Sequence, residues 1–261
     1  MRTVVVTGAA SGMGAATRDR LESAGHRVVG VDLHDAEVRA DLGSPEGRRA
    51  AVEEVAELCG GAIDGLVTLA GLPGLSTATG SAVVSVNYFG TVSLLEGLRP
   101  LLAGGNEPAA VAVSSNSATC QPGVPPEVVE RCLAGDEAGA RRAADRAGAV
   151  ATYPATKLAI ARWARRHAPA PEWAGAGIRL NVVAPGAVDT PLLQATRDDP
   201  VIGQYVDAFP IPLGRVGTAG ELAAFVDFLL GPDARFFCGS VVFVDGGTDA
   251  ALRADDFPVP M

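Results

Sequence analysis

Tyr153 and Lys157 have the residue types and the spacing of an acid/base pair. Lys157 is the one lysine among 21 basic residues, and all the others are arginines. Residues four apart share one face of a helix, so the phenol and the ammonium would be neighbours there. A nearby ammonium stabilises a phenolate and lowers the pKa of the tyrosine, which predicts a general acid/base. Arginine is a poor replacement because its guanidinium is a planar fork rather than a compact, movable charge.

A glycine-rich turn near the N-terminus predicts a site for a dinucleotide. Residues 7–14 read Thr-Gly-Ala-Ala-Ser-Gly-Met-Gly and join a β-branched run to a helical one. Glycines let backbone N–H groups approach a pyrophosphate, and the following helix N-terminus stabilises its charge. The residues of this turn expected to bind the cofactor are Gly8, Ser11, Gly12, Met13 and Gly14.

Asp32 indicates which nicotinamide dinucleotide is bound. It ends the second predicted strand, where a carboxylate bonds the ribose hydroxyls of NAD and repels the 2′-phosphate of NADP. Ser11 and Leu33, both expected cofactor contacts, do not supply the positive charge that NADP needs. Arg39 stays open as a source of that charge. The sequence therefore favours NAD over NADP.

The elements around these motifs alternate between strand and helix patterns. Short apolar runs rich in β-branched residues predict parallel strands at 3–7, 27–32, 65–69, 109–114, 178–184 and 240–245. Longer stretches of helical period predict helices at 14–24, 45–59, 81–102, 150–167 and 219–230. This order predicts an α/β fold with a doubly wound parallel sheet and helices on both faces. Helix 150–167 would carry Tyr153 and Lys157, with Pro154 in its first turn.

Two segments interrupt the alternation. Residues 120–148 are polar and helix-prone, and they predict a helical insertion before the helix that bears Tyr153. Residues 190–218 form a long connection that contains several prolines and apolar side chains. Such a connection is typical of a functional lid, and we expect it to cover a hydrophobic substrate. The apolar residues expected in this substrate lid are Leu192, Leu193, Val201, Ile202, Tyr205, Phe209 and Ile211.

The composition argues against several other classes of protein. A net charge of −9 without a basic cluster predicts no nucleic-acid partner. No stretch is apolar for the length of a membrane span, and the N-terminus lacks a signal-peptide pattern. Four scattered cysteines without nearby histidines predict no metal site and a cytoplasmic location. The length suits one domain over residues 1–261.

These motifs, in this chain order, resemble the short-chain dehydrogenase/reductase family over essentially the whole length. Its cofactor motif Thr-Gly-x-x-x-Gly-x-Gly is matched by residues 7–14, and the resemblance implies a single-domain Rossmann fold. The family's Asn-Asn-Ala-Gly segment is matched only in part by residues 68–71, Thr-Leu-Ala-Gly, which lack the side chains that brace the central strand. The resemblance implies that Ala70 and Gly71 lie beside the adenine ribose, and that Asp41, followed by Leu42, binds the adenine amine.

The resemblance also implies a catalytic tetrad. Tyr153 and Lys157 would act together with Ser115, which binds the substrate oxygen, and with Asn87, which shapes a water-linked proton path to the lysine. In this arrangement Tyr153 and Lys157 also contact the cofactor. Ser114 and Ser117 remain alternatives to Ser115.

Residues 185–190, Pro-Gly-Ala-Val-Asp-Thr, resemble the family's nicotinamide-binding turn. The implied contacts with the nicotinamide carboxamide are the backbone of Val188 and the hydroxyl of Thr190. Both residues precede the predicted lid.

A finer resemblance is to the bacterial 3α-hydroxysteroid dehydrogenase/carbonyl reductases of this family. It covers residues 24–26, 29–32, 35–38, 84–90 and 190–195, and it includes the position and length of the segment 120–148. In those relatives the extra segment blocks the four-helix packing that many family tetramers use. The resemblance therefore implies a homodimer formed through another face.

The predicted function is the reversible, NAD-dependent oxidation of a hydrophobic secondary alcohol to a ketone, similar to hydroxysteroid dehydrogenase/carbonyl reductase activity. A terpenoid or aryl alcohol is an alternative substrate. An NADPH-dependent carbonyl reductase is an alternative enzyme, which Asp32 argues against. A non-catalytic NAD-binding regulator is the alternative from another class, because a fold alone does not establish activity.

Overall fold

The centre of the protein is a seven-stranded parallel sheet in the order β3-β2-β1-β4-β5-β6-β9. A computed structural model gives the fold, and the structure describes residues 1–256. The strands are β1 (Thr3–Thr7), β2 (Arg27–Asp32), β3 (Val38–Arg39), β4 (Gly65–Thr68), β5 (Ala109–Val113), β6 (Arg179–Pro185), β7 (Val188–Asp189), β8 (Gly217–Thr218) and β9 (Val241–Val244). Strands β7 and β8 form a separate two-stranded pair.

Helices cover both faces of the large sheet. They are α1 (Gly12–Ser23), α2 (Pro45–Cys59), α3 (Gly80–Val84), α4 (Thr91–Ala103), α5 (Ser117–Cys120), α6 (Pro126–Leu133), α7 (Glu137–Ala147), α8 (Ala149–His167), α9 (Pro191–Arg197), α10 (Gly203–Val206), α11 (Ala219–Leu230) and α12 (Thr248–Leu252). A π-helical segment, Ser85–Gly90, joins α3 to α4. No helix within residues 1–256 is long and apolar enough to cross a membrane.

The hydrophobic core has two layers, one on each side of the sheet. On one side α1 and α11 pack against the sheet through Leu21, Leu222 and Val226. On the other side α2, α4 and α8 contribute a larger cluster that includes Val55 and Ile160. Strands covered on both faces need apolar side chains in both directions, which explains their continuous Val, Ala and Leu runs.

This architecture confirms the predicted doubly wound α/β fold. The six predicted strands and five predicted helices form, with ends that differ by at most two residues outside the region 81–102. Within that region the helical path contains the π-helical segment Ser85–Gly90 instead of a uniform α-helix. Sequence periodicity also missed β3, β7 and β8, because two-residue strands are too short to show a period.

The predicted insertion before the Tyr153 helix is helical, as α6 and α7. Several of its apolar side chains, among them Val128, Cys132 and Ala140, are fully buried and belong to the larger core layer. Near the start of α7, Glu137 accepts two hydrogen bonds, of 3.0 and 2.6 Å, from the buried guanidinium of Arg48 on α2. The insertion is therefore a packed part of the fold.

The prediction that Pro154 lies in the first helical turn is wrong, because α8 already begins at Ala149 and Pro154 lies inside it. A proline has no N–H to donate to the carbonyl four residues before it, here that of Val150. The side chain of Gln121 donates to this oxygen instead, with Nε2 at 3.1 Å. The helix continues past the proline because a side chain from the insertion provides the missing hydrogen bond.

Candidate active site

The glycine-rich turn after β1 has the backbone of an anion-binding loop. Gly8 and Gly12 have φ of 70° and 53°, a region that favours glycine. A Cβ on Gly14 would lie 1.9 Å from the carbonyl oxygen of Gly8, so no larger residue fits. Ser11 makes no capping hydrogen bond, and the first N–H groups of α1 remain free for a ligand. These features fit the pyrophosphate of a dinucleotide.

The turn opens into a cleft of about 490 Å³ at the carboxyl ends of β1, β2 and β4. The structure brings most of the predicted cofactor residues to its wall. These are Gly8, Ser11, Gly12, Met13, Gly14, Asp32, Leu33, Asp41, Leu42, Ala70, Gly71 and Thr190. The cleft lies where ligands bind in open α/β sheets, outside the carboxyl ends of the strands.

Asp32 is held in place at the cleft by two backbone N–H groups. Its Oδ2 accepts from Ala10 at 3.0 Å and its Oδ1 from Leu33 at 2.7 Å. Arg39 is opposite Asp32 in the β2–β3 register but does not line the cleft. The wall of the cleft at Asp32, where the ribose is predicted to bind, therefore has a negative charge.

The end of the cleft that is predicted to hold adenine is lined by Asp41, Leu42 and Ala70. Asp41 Oδ1 accepts from the N–H of Gly43 at 2.8 Å, and Leu42 is buried. The N–H of Ala70 donates to Thr7 Oγ1 at 3.0 Å. The hydroxyl of Thr68, in the segment that departs from the family pattern, is buried and has no hydrogen-bond partner within residues 1–256.

Lys157 is buried and lines a small chamber beside the cleft. Its Nζ donates to the carbonyl oxygen of Val113 at 3.1 Å and lies 5.7 Å from the ring centroid of Tyr153. Burial lowers the pKa of Lys157 to about 8. An ammonium with a pKa this close to neutrality exchanges its proton readily.

Tyr153 and Ser115 face each other in a small chamber of about 80 Å³ that adjoins the cleft and also contains Lys157. Burial raises the pKa of Tyr153, and a side-chain hydrogen bond with Ser115 opposes this rise. The expectation that Lys157 lowers the pKa of Tyr153 is wrong for this arrangement. The lysine ammonium bonds to the Val113 carbonyl, and burial of the phenol dominates.

The three candidate serines have different surroundings. Ser114 Oγ is buried and donates to the backbone carbonyl of Lys157 at 2.7 Å, so it braces the helix. Ser115 Oγ accepts from the N–H of Ser117 at 3.1 Å and faces Tyr153. The hydroxyl of Ser117 is buried without a partner among the described residues and lies on the neighbouring cavity.

Asn87 is in the π-helical segment and is fully buried. Its amide exchanges two hydrogen bonds with the backbone of Leu72, of 2.7 and 3.0 Å. A Cβ on Gly71 would lie 3.3 Å from Asn87 Oδ1 and 3.8 Å from Lys157 Nζ, so both side chains reach the same backbone position. A π-bulge of this kind is frequent at functional sites because it redirects one side chain.

Val188 and Thr190 form the wall of the chamber opposite the serines. Val188 is buried on β7, and the hydroxyl of Thr190 donates to its carbonyl at 3.1 Å. The same hydroxyl accepts from the N–H of Leu193 and caps α9. The predicted nicotinamide turn is therefore also the start of the predicted lid.

Beyond Tyr153 the chamber meets an apolar cavity of about 480 Å³. Six of the seven predicted lid residues line it: Leu192, Leu193, Ile202, Tyr205, Phe209 and Ile211. Val201 does not line the cavity, and its side chain is exposed to solvent. The opposite wall, which the sequence did not indicate, includes Pro73, Gln121 and Val150. These residues lie far apart along the chain, so no local pattern relates them.

A carboxylate that the sequence reading missed joins the lid to the loop after β4. Asp199 is buried, and it accepts from the N–H of Ser76 at 2.7 Å and from the Ser76 hydroxyl at 2.9 Å. It also accepts from the N–H groups of Val201 and Ile202. Burial alone would raise the pKa of Asp199, but these donors lower it to about 2.

Comparisons with known proteins agree with this geometry. Residues 2–125 match the family model for short chain dehydrogenase, and residues 136–249 match the model for enoyl-(acyl carrier protein) reductase. The chain is 42% identical to 3-alpha-hydroxysteroid dehydrogenase/carbonyl reductase of Comamonas testosteroni over 98% of its length and 100% of that protein. It is 33% identical to coniferyl-alcohol dehydrogenase of a Pseudomonas strain, over 94% of its length and 96% of that protein.

A solved structure has the same fold. The 3-alpha-hydroxysteroid dehydrogenase from Pseudomonas sp. B-0831, crystallised with NADH, aligns over 98% of this chain and 100% of its own with a TM-score of 0.94 and 49% identity. Its NADH supports a nicotinamide cofactor for the cleft described above. The chain belongs to the short-chain dehydrogenase/reductase family, whose members interconvert alcohols and carbonyl compounds with such a cofactor.

Proposed function

We propose that this enzyme reversibly oxidises a hydrophobic secondary alcohol with NAD, as a hydroxysteroid dehydrogenase/carbonyl reductase-like enzyme. The observation that carries the proposal is the continuity of three spaces. The cleft with the glycine-rich turn, the chamber with Ser115, Tyr153 and Lys157, and the apolar cavity share lining residues, and Leu192 borders all three. A substrate in the cavity would present its hydroxyl to Tyr153.

The side chains have distinct roles in the proposed reaction. A bound nicotinamide supplies the hydride acceptor for oxidation and the donor for reduction. Tyr153 removes the hydroxyl proton of the alcohol, and in reduction it returns a proton to the carbonyl oxygen. Ser115 hydrogen-bonds that oxygen and stabilises the charge that develops on it.

Lys157 and Asn87 support proton exchange behind the tyrosine. The lysine ammonium, with its pKa near 8, provides a proton-exchanging group within the same chamber. Asn87 holds the Leu72 backbone and reaches the same point beside Gly71. We infer that water ordered between these groups links Tyr153 to bulk solvent.

NAD is the proposed dinucleotide. The Asp32 carboxylate is fixed by two N–H donors at the ribose end of the cleft, where it repels a 2′-phosphate. Arg18, on the adjacent helix, is already paired with Glu22 and Glu37. An NADPH-dependent carbonyl reductase is disfavoured for these reasons. A non-catalytic regulator is disfavoured because Tyr153, Lys157 and Ser115 meet in the chamber beside the cavity.

The proposed substrate is a bulky apolar alcohol such as a hydroxysteroid. The cavity volume is in the range of sites for drug-sized ligands, and most of its lining is apolar. The 3-alpha-hydroxysteroid dehydrogenase relatives favour a steroid. The similarity to coniferyl-alcohol dehydrogenase keeps an aryl alcohol as the second candidate, and a terpenoid alcohol would fit the same apolar surface.

We also propose a homodimer and a cytoplasmic location. The edge strand β9 is only half-buried along its whole length, and Phe228 on α11 and Phe236 in the loop before β9 are exposed. A second subunit would cover these side chains. The described cysteines are free thiols, as is typical of a reducing compartment.

The test is turnover of hydroxysteroids, aryl alcohols and terpenols with NAD, followed by NADH absorbance. Tyr153→Phe should retain NADH affinity and lose kcat by about 10² to 10⁴, the usual contribution of a general acid/base. Tyr88→Phe removes a phenol that lines none of the three spaces and is the matched control. Undiminished turnover in Tyr153→Phe would contradict the mechanism.

A further inference from the structure

One face of the inserted helix α7 runs along the rim of the dinucleotide cleft. Glu137, Arg141 and Asp145 are four residues apart and therefore lie on this common face. Each of the three bonds to a different element of the cleft side of the molecule. The insertion thus provides an acidic, a basic and a second acidic side chain in a line.

The two acids fix the helix in place. Glu137 is bonded to the buried Arg48 on α2, and Asp145 Oδ1 accepts from the N–H of Ser81 on α3 at 2.7 Å. The backbones of α3 and α7 are in contact, since a Cβ on Gly80 of α3 would lie 2.1 Å from the carbonyl oxygen of Ala144 of α7. These contacts at both ends of α7 therefore fix the position of Arg141, which lies between Glu137 and Asp145 on the same face.

Arg141 stands between them and lines the cleft. Its Nη1 donates to Ser85 Oγ at 2.6 Å, and no carboxylate within residues 1–256 forms an ion pair with it. It is the one cationic side chain among the described residues that line this cleft, although two acids, Asp32 and Asp41, line it as well. The Ser85 hydroxyl thus holds the Arg141 guanidinium at the cleft, and the guanidinium has further donors that it does not use there.

The position of Arg141 corresponds to the adenine end. Ser85 precedes Val86, whose Cγ2 would lie 3.2 Å from a Cβ on Gly43, next to Asp41. The phosphate-binding turn belongs to a different wall of the cleft, formed by Gly8 to Gly14. A guanidinium stacks on aromatic faces and donates to ring nitrogens, so a purine base is a suitable ligand for it.

We propose that Arg141 binds the adenine base of the dinucleotide and that the insertion thereby forms the outer wall of the adenosine site. This inference rests on the proposed use of NAD, and it assigns a role in cofactor affinity to the helical insertion. The role is one of binding and not of chemistry, because Tyr153 lies in another chamber.

Calorimetric titration with NADH and with reduced nicotinamide mononucleotide, which lacks adenosine, tests the proposal. Arg141→Ala should raise the Kd for NADH about five-fold, as for a cation–π contact at a partly exposed site, and leave the Kd for the mononucleotide unchanged. Arg141→Gln, which keeps a donor for Ser85 without the guanidinium, should show the same loss. Arg142→Ala removes the adjacent exposed arginine of α7 and should bind both as the wild type does.

The other possible results would contradict the adenine role of Arg141, the need for its guanidinium, or the proposed function. Equal losses for NADH and the mononucleotide, or wild-type NADH affinity in both Arg141 variants, would show that Arg141 does not bind adenine. Wild-type NADH affinity in Arg141→Gln alone would assign the effect to the Ser85 hydrogen bond. If the unmodified enzyme binds no NADH, the proposed function fails, and this result is separate from the behaviour of Arg141.

Discussion

Lys157 has a buried ammonium that donates one hydrogen bond, to a backbone carbonyl oxygen. Its ammonium is enclosed by the β5–α8 contact and donates to the Val113 carbonyl, while burial brings its pKa down to about 8. A guanidinium at this place would need room for a plane with five donors and would not give up a proton near neutral pH. The lone lysine is therefore explained by the space and by the proton chemistry of one chamber.

Lys157→Arg should lose at least about a hundred-fold in kcat, because proton exchange with Tyr153 is impaired although the charge is kept. Steady-state kinetics with NAD and a substrate identified in the screen would measure this. Arg162→Lys is the matched control, because it exchanges arginine and lysine at an exposed position of α8. Its kcat should equal that of the wild type. Wild-type kinetics in Lys157→Arg would remove the special role of the lysine.

At the scale of elements, the segment 190–218 is a lid attached at two places. Its first helix, α9, is capped by Thr190 at the nicotinamide turn. The turn between α9 and α10 is attached to the loop after β4 through Asp199 and Ser76. The apolar side chains of the lid line the cavity between these attachments. The start of the lid, Thr190 and Pro191, also lies beside Gly12 of the glycine-rich turn.

Asp199→Asn should raise the KM for the alcohol about ten-fold, because an amide oxygen replaces a charged acceptor of several hydrogen bonds. The Kd for NADH should stay unchanged, since Asp199 lies outside the cleft. Kinetics together with limited proteolysis would follow the expected loosening of the lid. Asp198→Asn changes the exposed neighbouring carboxylate and is the control; an equal KM in both variants would contradict the lid attachment.

At the scale of the whole molecule, β9 is an edge strand of the large sheet, and it is half-buried within the described residues. Phe228 packs against Phe225 and Phe237 with ring centroids 5.9 and 5.7 Å apart, yet it remains exposed on its outer side. Phe236, which precedes Phe237 in the chain, is fully exposed. Large aromatic side chains grouped at an edge are typical of an interface between subunits, because they gain most from burial.

The double variant Phe228→Glu/Phe236→Glu should convert a homodimer to a monomer of about 26.5 kDa. Two charges would oppose burial of the interface, where an unpaired charge is costly. Light scattering after size-exclusion chromatography measures the mass. Leu58→Glu, which places a charge on an exposed apolar residue of α2, should leave the mass unchanged, and a dimer that persists in the double variant would place the interface elsewhere.

The sequence by itself determined the alternating α/β order, the glycine-rich turn, and the Tyr153–Lys157 pairing on one helix. These features depend on spacing within a few turns of chain, and spacing is preserved when the chain folds. The boundaries of α2 and α11 were predictable for the same reason, since Pro45 begins one helix and Gly231 follows the other. The roles of the individual site residues remain predictions.

Only the tertiary structure decided which distant groups meet. Asp199 bonds to Ser76 from 123 positions away, and Gln121, just after α5, compensates for Pro154 in α8. Arg141 reaches the cleft because the insertion packs against α3. The structure also reversed the expected pKa shift of Tyr153, since desolvation depends on everything packed around the phenol. Long-range contacts and burial depend on how the whole chain packs, and local spacing contains no record of them.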